Sequence, residues 1–380
     1  MKIVICPDSF KGSISSLEVC KAIEKGIKKV FSDIEIVSIP LADGGEGTID
    51  TISKNIKLEK IKVKVLNPIG EEIESYYALT ENNIAIIEMS LASGITLISE
   101  EKRNPLYTTT YGVGQLIKEA VKNNCEKIII GLGGSATSDC GVGALQSLGF
   151  EFYDSQKRLI IHPINNQNLS EIENISIKNV DKKILETEMI LACDVKNILL
   201  GSNGAVYTYA LQKGAKKEDL PILEKNIELF IDKAEKILNK KVRDLEGSGA
   251  AGGLGAGLSF LNTKIQSGIE IILELSNFKE KIKNTNFIFT GEGKIDSQTS
   301  QGKVISGILK YSEKIPVIAL AGIVESNENL YSQGLVSAFS ICNEPMTLED
   351  SMKKTSELLT EQTQNICRMI KALQNNYLKK

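Results

Sequence analysis

The 380-residue sequence contains no tryptophan, a single histidine and no excess of charge of either sign. Its 45 Lys and Arg residues against 48 Asp and Glu residues give a formal net charge of −3. Because proteins that hold nucleic acid usually carry a basic patch, this balance argues against a nucleic-acid partner. Hydrophobic residues make up 42% and charged residues 24% of the chain, which is typical of a globular metabolic protein.

The scarcity of histidine and the spacing of cysteine exclude further classes. A Ser-His-Asp or Cys-His enzyme would have to rely on His162, which lies in a polar segment without clear periodicity. The seven cysteines contain no Cys-x-x-Cys pair, which argues against a zinc site and against a disulfide framework. We expect the cysteines to act as small buried hydrophobic residues.

Membrane and secretion signals are also missing. No apolar run approaches the roughly 18 residues that a membrane span needs. The sequence begins with a strand pattern rather than with the charged and apolar regions of a signal peptide. The sequence therefore predicts a cytoplasmic protein with no membrane partner, and it leaves oligomer formation open.

The usual nucleotide-binding signatures are absent or weak. No segment fits G-x-x-x-x-G-K-[ST], so the chain has no P-loop. The stretch Gly247–Gly252 matches G-x-G-x-x-G, but a charged segment rather than a strand precedes it. We interpret this match as a small-residue turn that lets a helix pack closely.

The apolar pattern predicts an α/β protein with two domains, because the chain is too long for one compact core. The run Ile3–Ile5 precedes a helical pattern over 15–31, and a second strand over 34–39 precedes a helix near 49–56. This βαβα beginning predicts a parallel sheet. Later strands that could complete it lie near 286–291, 316–320 and 336–341, before an amphipathic helix over 348–373.

The middle of the chain follows another pattern. Three short strands over 60–66, 72–79 and 84–89 are joined by turns and predict an antiparallel meander. A helix over 111–123 and strands over 127–130 and 189–193 follow. We therefore predict a discontinuous Rossmann-like domain with a mainly parallel sheet over 1–60 and 280–380, and an inserted mixed α+β domain over 61–279.

Polar residues are concentrated directly after the first strand. The loop Pro7–Ser13 holds Asp8, Ser9 and Lys11. In open α/β sheets, ligands bind beyond the carboxyl ends of the strands. Lys11 could bind a carboxylate or a transferring phosphoryl group as a compact point charge.

Carboxylates follow several other strands. The loop Ala42–Thr48 holds Asp43 and Glu46, whose oxygens could bind Mg²⁺. Asp194 and Asp296 also follow apolar strands. Any one of these acids could instead cap the next helix, but several strand-end acids together with lysines favour a functional site.

The segment Gly131–Asp139 lies between a clear strand and a helix that is rich in small residues. Backbone amides that glycines leave accessible at a helix N-terminus bind phosphate without a cationic side chain. The phosphate ligands that this pattern predicts are Gly133, Gly134, Ser135, Thr137 and Ser138. A tight strand-to-helix turn explains the same pattern equally well.

Seven motifs in this order resemble the type 1 glycerate kinase family of bacteria. They are Pro7–Ser13, Ala42–Thr48, Gly131–Asp139, Cys193–Val195 with Gly201–Gly204, Gln212–Ala215, Gly247–Gly253 and Thr290–Asp296. The resemblance runs over nearly the whole chain. It implies two α/β domains with the active site in the cleft between them, and a requirement for ATP and Mg²⁺.

The resemblance also implies an activity, the ATP-dependent phosphorylation of D-glycerate, for which we favour the 2-hydroxyl as acceptor. With the residue patterns above, it suggests catalytic roles for Lys11, Asp43, Asp194 and Asp296, with Asp43 as the first choice for the base. The expected substrate ligands are Asp8, Ser9, Lys11, Glu46 and Lys294. Asp194 or Asp296 would hold Mg²⁺.

Two other functions share the same loops. A kinase for a different small hydroxy acid would differ only in its substrate pocket. A non-catalytic sensor on the same fold would bind the ligand without consuming ATP.

Overall fold

The computed structural model describes residues 1–41, 49, 52, 53, 56–296, 299, 304–325 and 328–377. Asp43 and Glu46 lie outside these residues, as does part of the helix predicted near 49–56. The chain divides into a first compact unit of Met1–Asp43, Asp50–Ile56 and Ile269–Lys380 and a second of Gly44–Ile49 and Lys57–Gly268. Compactness alone does not define a folding domain, so the domain boundaries at 60/61 and 279/280 stay a prediction.

The strands are β1 (Lys2–Ile5), β2 (Glu35–Ser38), β3 (Leu58–Leu66), β4 (Glu72–Thr80), β5 (Ile84–Glu88), β6 (Lys127–Gly131), β7 (Glu151–Tyr153), β8 (Asn174–Ser176), β9 (Glu188–Ala192), β10 (Thr263–Gln266), β11 (Phe287–Ile295), β12 (Val317–Val324) and β13 (Leu335–Ser340).

The helices are α1 (Ser16–Lys28), α2 (Ser90–Ser93), α3 (Tyr111–Lys122), α4 (Val142–Ser147), α5 (Lys182–Glu186), α6 (Ala205–Tyr209), α7 (Leu220–Leu238), α8 (Ala250–Leu258), α9 (Gly268–Leu275), α10 (Phe278–Lys281), α11 (Val304–Ser312), α12 (Glu328–Ser332) and α13 (Leu348–Tyr377). Short 3₁₀ helices cover Ile95–Leu97, Glu100–Lys102, Asn166–Glu171, Leu211–Lys213 and Lys217–Asp219.

The first unit holds a five-stranded sheet in the order β13-β12-β11-β1-β2. Every neighbouring pair is parallel, and the three late strands complete the sheet as predicted. The sheet is doubly wound, with the strand order 2-1-3-4-5 rather than the 3-2-1-4-5-6 of a dinucleotide-binding Rossmann fold. Its order reverses between β1 and β11, so the loops after these strands are the expected place for a ligand.

Helix α1 begins where the sequence pattern predicts. The Ser15 side chain accepts from the Glu18 amide, and the Glu18 side chain reaches back to the Ser15 amide, which forms a capping box. Helix α13 packs closely on α1, since a Cβ atom on Gly26 would lie 2.6 Å from the carbonyl oxygen of Thr360. The apolar sides of both helices, with residues such as Ile23 and Ile366, join the core beside β1.

The second unit holds a six-stranded sheet in the order β10-β9-β6-β5-β4-β3. Strands β5, β6, β9 and β10 are parallel, and β4 is antiparallel to both neighbours, which confirms the predicted meander. The central strands β5, β6 and β9 are buried almost throughout, as expected for a sheet covered on both faces. Lysines such as Lys62 and Lys64 lie on the edge strand β3 and discourage pairing with another chain.

All seven cysteines are free thiols. Five are buried as predicted, whereas Cys193 and Cys342 are partly exposed because each lies just beyond the end of a strand. Among the helices of the described residues, none combines the length and the apolar character that crossing a bilayer requires.

Candidate functional site

The loop after β1 places three predicted substrate ligands at the carboxyl edge of the first sheet. The Asp8 amide donates to the carbonyl oxygen of Gly291 in β11 (2.8 Å), which ties the ends of the two strands together. The Asp8 carboxylate accepts from the Ser9 amide (2.6 Å). Lys11 is exposed and forms no ion pair with any residue of the described chain. Lys11 is therefore a cation that an anionic ligand can reach.

The end of β11 carries Lys294, with Asp296 just beyond it. Lys294 Nζ lies 2.7 Å from Glu325 Oε1 and 3.5 Å from Asp296 Oδ2. The hydrogen bond to Glu325 is the main cause that raises the pKa of Lys294. Because both Lys294 and Glu325 are about half exposed, the pair is weak and an anionic ligand can compete for the lysine.

A buried carboxylate, Glu292, supports this strand end. The Thr299 hydroxyl donates to Glu292 Oε1 (2.6 Å), and the Asp296 amide donates to Thr299 Oγ1 (3.1 Å). Glu292 thus fixes the turn that positions Asp296. Glu292 lies in one of the sequence motifs but was not among the predicted site residues. The available signal was a carboxylate between two glycines inside a strand pattern.

Lys11, in the loop after β1, and Lys294, near the end of β11, line one cavity of about 570 Å³ within the first unit. Asp8, Ser9 and Asp296 are not among its lining residues. The structure thus brings together two of the predicted substrate ligands.

In the second unit, the loop after β6 is held from the interior by three side chains. The carbonyl oxygens of Ala136, Thr137 and Ser138 accept, respectively, from Thr108 Oγ1 (2.9 Å), Lys213 Nζ (2.7 Å) and Asn166 Nδ2 (2.8 Å). All three donors are buried. Three consecutive peptide groups are therefore fixed with their carbonyls toward the interior.

Lys213 is the least expected of these donors, because a lysine is rarely buried. It is only 2% exposed. Burial lowers its pKa to about 7, against the opposing effect of the Asp139 carboxylate. Asp139 is fully buried, and burial raises its pKa although it accepts hydrogen bonds from the amides of Thr110 (2.8 Å) and Gly143 (3.2 Å).

Two glycines let another segment approach the same loop. A Cβ atom on Gly252 would lie 1.8 Å from the carbonyl oxygen of Thr137, and one on Gly253 would lie 2.9 Å from Cys140 Cα. Both glycines have positive φ, +67° and +89°. These contacts support the interpretation of Gly247–Gly252 as a close-packing turn.

The five predicted phosphate ligands differ in their exposure to solvent. Thr137 and Ser138 are fully buried, and their hydroxyl oxygens have no hydrogen-bond partner among the described residues. In this arrangement neither hydroxyl can reach a ligand that arrives from solvent. Gly133, Gly134 and Ser135 are half-buried and form the accessible part of the loop.

Carboxylates also follow or end two other strands of the second sheet. Asp194 is exposed, and its Oδ1 accepts from Ser267 Oγ and from the Gly268 amide (both 2.9 Å), which is the capping role considered above. Glu88 ends β5, is 7% exposed and accepts from the Ile49 amide (2.6 Å). Glu88 was not among the predicted site residues, although an acid that ends an apolar strand was a usable signal.

The described side chains do not form a magnesium site made by the protein alone. Within the described ranges, no three His, Cys, Asp or Glu side chains are grouped as a metal site. Mg²⁺ usually keeps several waters and binds one or two carboxylates together with substrate phosphates. An exposed carboxylate such as Asp194, or the half-buried Asp296, fits this use.

Two α/β units with acids, lysines and glycine loops at the carboxyl edges of their sheets define a class of protein that binds small anionic ligands at strand ends. Residues 3–371 match the glycerate kinase family, and the chain belongs to this family. It is therefore a kinase, an enzyme that transfers a phosphoryl group from ATP to a small molecule.

Similar proteins cover nearly the whole chain. A glycerate kinase of Halalkalibacterium halodurans is 41% identical over 371 residues, which are 96% of this chain and 97% of that protein. A glycerate kinase of Bacillus subtilis is 39% identical over the full length of both chains. A glycerate 2-kinase of Escherichia coli is 38% identical, covering 96% of this chain and 97% of that one.

A solved structure has the same fold. The crystal structure of a protein assigned as glycerate kinase 2 from Salmonella typhimurium LT2 matches with a TM-score of 0.86 and 37% identity, over 99% of both chains. The α/β class and the family predicted from the sequence are confirmed.

Proposed function

We propose that this protein phosphorylates D-glycerate with ATP and that the product is 2-phospho-D-glycerate. The observation that carries the proposal is the match over the full length of both chains to a protein named glycerate kinase. The choice of the 2-hydroxyl is supported by the relative named glycerate 2-kinase.

The proposed reaction forms a bond between a glycerate hydroxyl oxygen and the γ-phosphorus of ATP. The bond from that phosphorus to the oxygen bridging to the β-phosphate breaks, and ADP leaves. Phosphoryl transfer depends mainly on positioning and on neutralisation of charge. In the proposal, Lys11 and Lys294 neutralise the substrate carboxylate or the phosphoryl oxygens, while Asp43 orients the hydroxyl and accepts its proton.

The loop residues Gly133, Gly134 and Ser135 are proposed to bind phosphate oxygens. Within the described chain, their amides donate no hydrogen bond. Mg²⁺, when bound through Asp194 or Asp296, would supply additional positive charge beside the phosphates. The part of the proposal that includes Thr137 and Ser138 requires a rearrangement that exposes their hydroxyls, since both are buried.

The first test is steady-state kinetics of Lys11→Ala and Asp43→Asn with glycerate and Mg-ATP. We expect kcat/KM to fall by about 10²-fold or more for each variant, because loss of a positioned charge or base has effects of this size. Matched controls are Lys354→Ala, an exposed lysine of the same unit, and Asp33→Asn, an exposed acid before β2. If both test variants keep the activity of their controls, the proposed residues are wrong.

The product is identified by ³¹P NMR. The phosphorus of 2-phosphoglycerate couples to one CH proton and gives a doublet, whereas that of 3-phosphoglycerate couples to a CH₂ group and gives a triplet.

A panel of small hydroxy acids, assayed as substrates, separates a glycerate kinase from a kinase for another hydroxy acid. ADP release distinguishes an enzyme from a sensor. Oligomer formation and a cytoplasmic location stay predictions.

A further inference from the structure

The cavity of about 570 Å³ in the first unit lies where the doubly wound sheet reverses its order. Its walls come from the loop after β1, from β11 and β12, from the end of β13 and from the start of α13. The reversal point of such a sheet is the usual ligand crevice, because the loops on its two sides diverge there. A volume of this size falls in the range of roughly 300 to 1,000 Å³ typical of pockets for drug-sized ligands.

The walls of this cavity are largely apolar. Phe10 and Ile341 are buried, whereas Ile323 and Leu348 are 48% and 68% exposed at the same cavity. When an apolar ligand surface covers large hydrophobic side chains that are this exposed, the removal of apolar surface from water favours binding. The cavity is therefore suited to a ligand with a bulky apolar part.

The hydroxyl side chains of the walls already have protein partners. The Ser13 hydroxyl donates to the Met352 carbonyl oxygen (2.7 Å), and the Thr347 hydroxyl donates to Asp350 Oδ2 (2.6 Å). Ser351 Oγ contacts Cys342 Sγ at 3.3 Å. Glycerate carries a carboxylate and two hydroxyls on a short carbon chain, so it needs several polar partners and would leave most of this volume empty.

The charged groups at the cavity favour an anion on the ligand. Lys11 has no ion pair with the described residues, and Lys294 shares its charge with the half-exposed Glu325 and with Asp296. A ligand with a flat apolar ring system and a negatively charged tail would satisfy both the walls and Lys11. A purine nucleotide has this chemistry.

We propose that this cavity binds the base and ribose of ATP, with Lys11 contacting a phosphate group. The inference rests on the proposed function, since it names the subsite that the phosphoryl donor occupies. It assigns Lys11 to the nucleotide rather than to the carboxylate of glycerate.

The absence of tryptophan from the natural sequence permits a direct test. Leu348→Trp places the only tryptophan at the cavity, and Leu373→Trp, at a 52% exposed position of the same helix α13, is the matched control. We expect ADP, titrated without glycerate, to change the emission of Leu348→Trp with saturation and to leave that of Leu373→Trp unchanged. Saturable ADP binding by calorimetry without any emission change at position 348 would overturn the inference.

A second pair of variants tests the cavity by adding a negative charge. Leu348→Glu adds a carboxylate to the first residue of α13, where an acid favours the helix, and Leu373→Glu is its control. We expect the Kd for ADP and the KM for ATP to rise about tenfold or more in Leu348→Glu, because like charges repel, with the KM for glycerate unchanged. A rise in the KM for glycerate alone, or no change in either constant, would contradict the inference.

The two proposals fail in different ways. If Leu348→Trp responds to ADP but the protein does not phosphorylate glycerate, the nucleotide subsite stands and the proposed function is wrong. If the protein phosphorylates glycerate while ADP leaves the emission of Leu348→Trp unchanged, the subsite is wrong and the function stands.

Discussion

The two sheets carry similar sequence motifs after their strands but stabilise the resulting loops in different ways. In the first unit, Lys11 and Lys294 are exposed, and Lys294 is held only by ion pairs near solvent. In the second unit, buried side chains fix the Gly131–Asp139 loop through its backbone carbonyls. The loops of the first unit can bind through lysine side chains, whereas the Gly131–Asp139 loop presents mainly a rigid backbone, with Ser135 as its accessible hydroxyl residue.

This difference predicts how mutations act. A substitution at an exposed side chain on the carboxyl edge of the first sheet (the first edge) should change ligand binding and leave the free energy of unfolding nearly unchanged. A substitution beneath the Gly131–Asp139 loop, on the carboxyl edge of the second sheet (the second edge), should change both ligand binding and the free energy of unfolding. Removal of a buried donor there leaves a backbone carbonyl without a partner.

The largest decrease in the free energy of unfolding is expected for Gly252→Ala. The added Cβ atom would lie 1.8 Å from the carbonyl oxygen of Thr137, and the positive φ of +67° is itself unfavourable for alanine. Because the obstructing atom belongs to the backbone, the loop must move. We expect the free energy of unfolding to fall by about 3 kcal/mol or more, measured by urea unfolding, with loss of kinase activity.

The control for this variant is Gly201→Ala. Gly201 also has a positive φ, +97°, but no atom lies within 4 Å of the position of its Cβ. This control carries the backbone strain without the collision, so a loss of about 1 kcal/mol is expected. Equal losses in the two variants would show that the packing beneath the loop contributes nothing.

The second largest effect is expected from Lys213, which should make the free energy of unfolding depend on pH. Its pKa is about 7 in the folded protein against an ordinary value of 10.5. Between these values the unfolded chain binds a proton that the folded chain does not, so the contribution of Lys213 to the free energy of unfolding rises with pH. Relative to Lys213→Met, the wild type should gain about 2 kcal/mol from about pH 7.5 to about pH 9.5.

Urea unfolding of the wild type and of Lys213→Met at both pH values measures this difference. Lys216→Met, at an exposed lysine three residues away, is the control and should follow the wild type at both pH values. A difference between the wild type and Lys213→Met that does not change with pH would mean that Lys213 keeps its proton in the folded state.

The fold was largely predictable from periodicity. The β-branched run Ile3–Ile5, the helical pattern over 15–31 and the short alternating strands over 60–89 predicted the correct elements, because each depends on neighbours in sequence. The order of the parallel strands was not predictable. It depends on which distant strands meet, and β1 pairs with β11 across more than half of the chain.

The candidate site was predictable only in part. Lys11 and Lys294 were selected from strand-end position, and the structure places them at one cavity. Thr137 and Ser138 were selected by composition, but their burial depends on Lys213 and Asn166, which come from other motifs or from none. Burial of a polar residue is decided by partners far along the chain, so a local pattern does not reveal it.

The smallest effect is expected for Glu325→Gln at the first edge. Glu325 and Lys294 are both about half exposed, so the loss of their 2.7 Å ion pair should leave the free energy of unfolding nearly unchanged. Lys294 then shares its charge with Asp296 alone among the described residues, and we expect the KM for ATP to fall by up to about threefold.

The control is Glu280→Gln, which removes the exposed 2.7 Å ion pair with Lys283 elsewhere in the same unit. It should lower stability as little and leave the KM for ATP unchanged. A clear loss of stability in Glu325→Gln relative to Glu280→Gln would show that the carboxyl edge of the first sheet, like that of the second, depends on its polar contacts for folding.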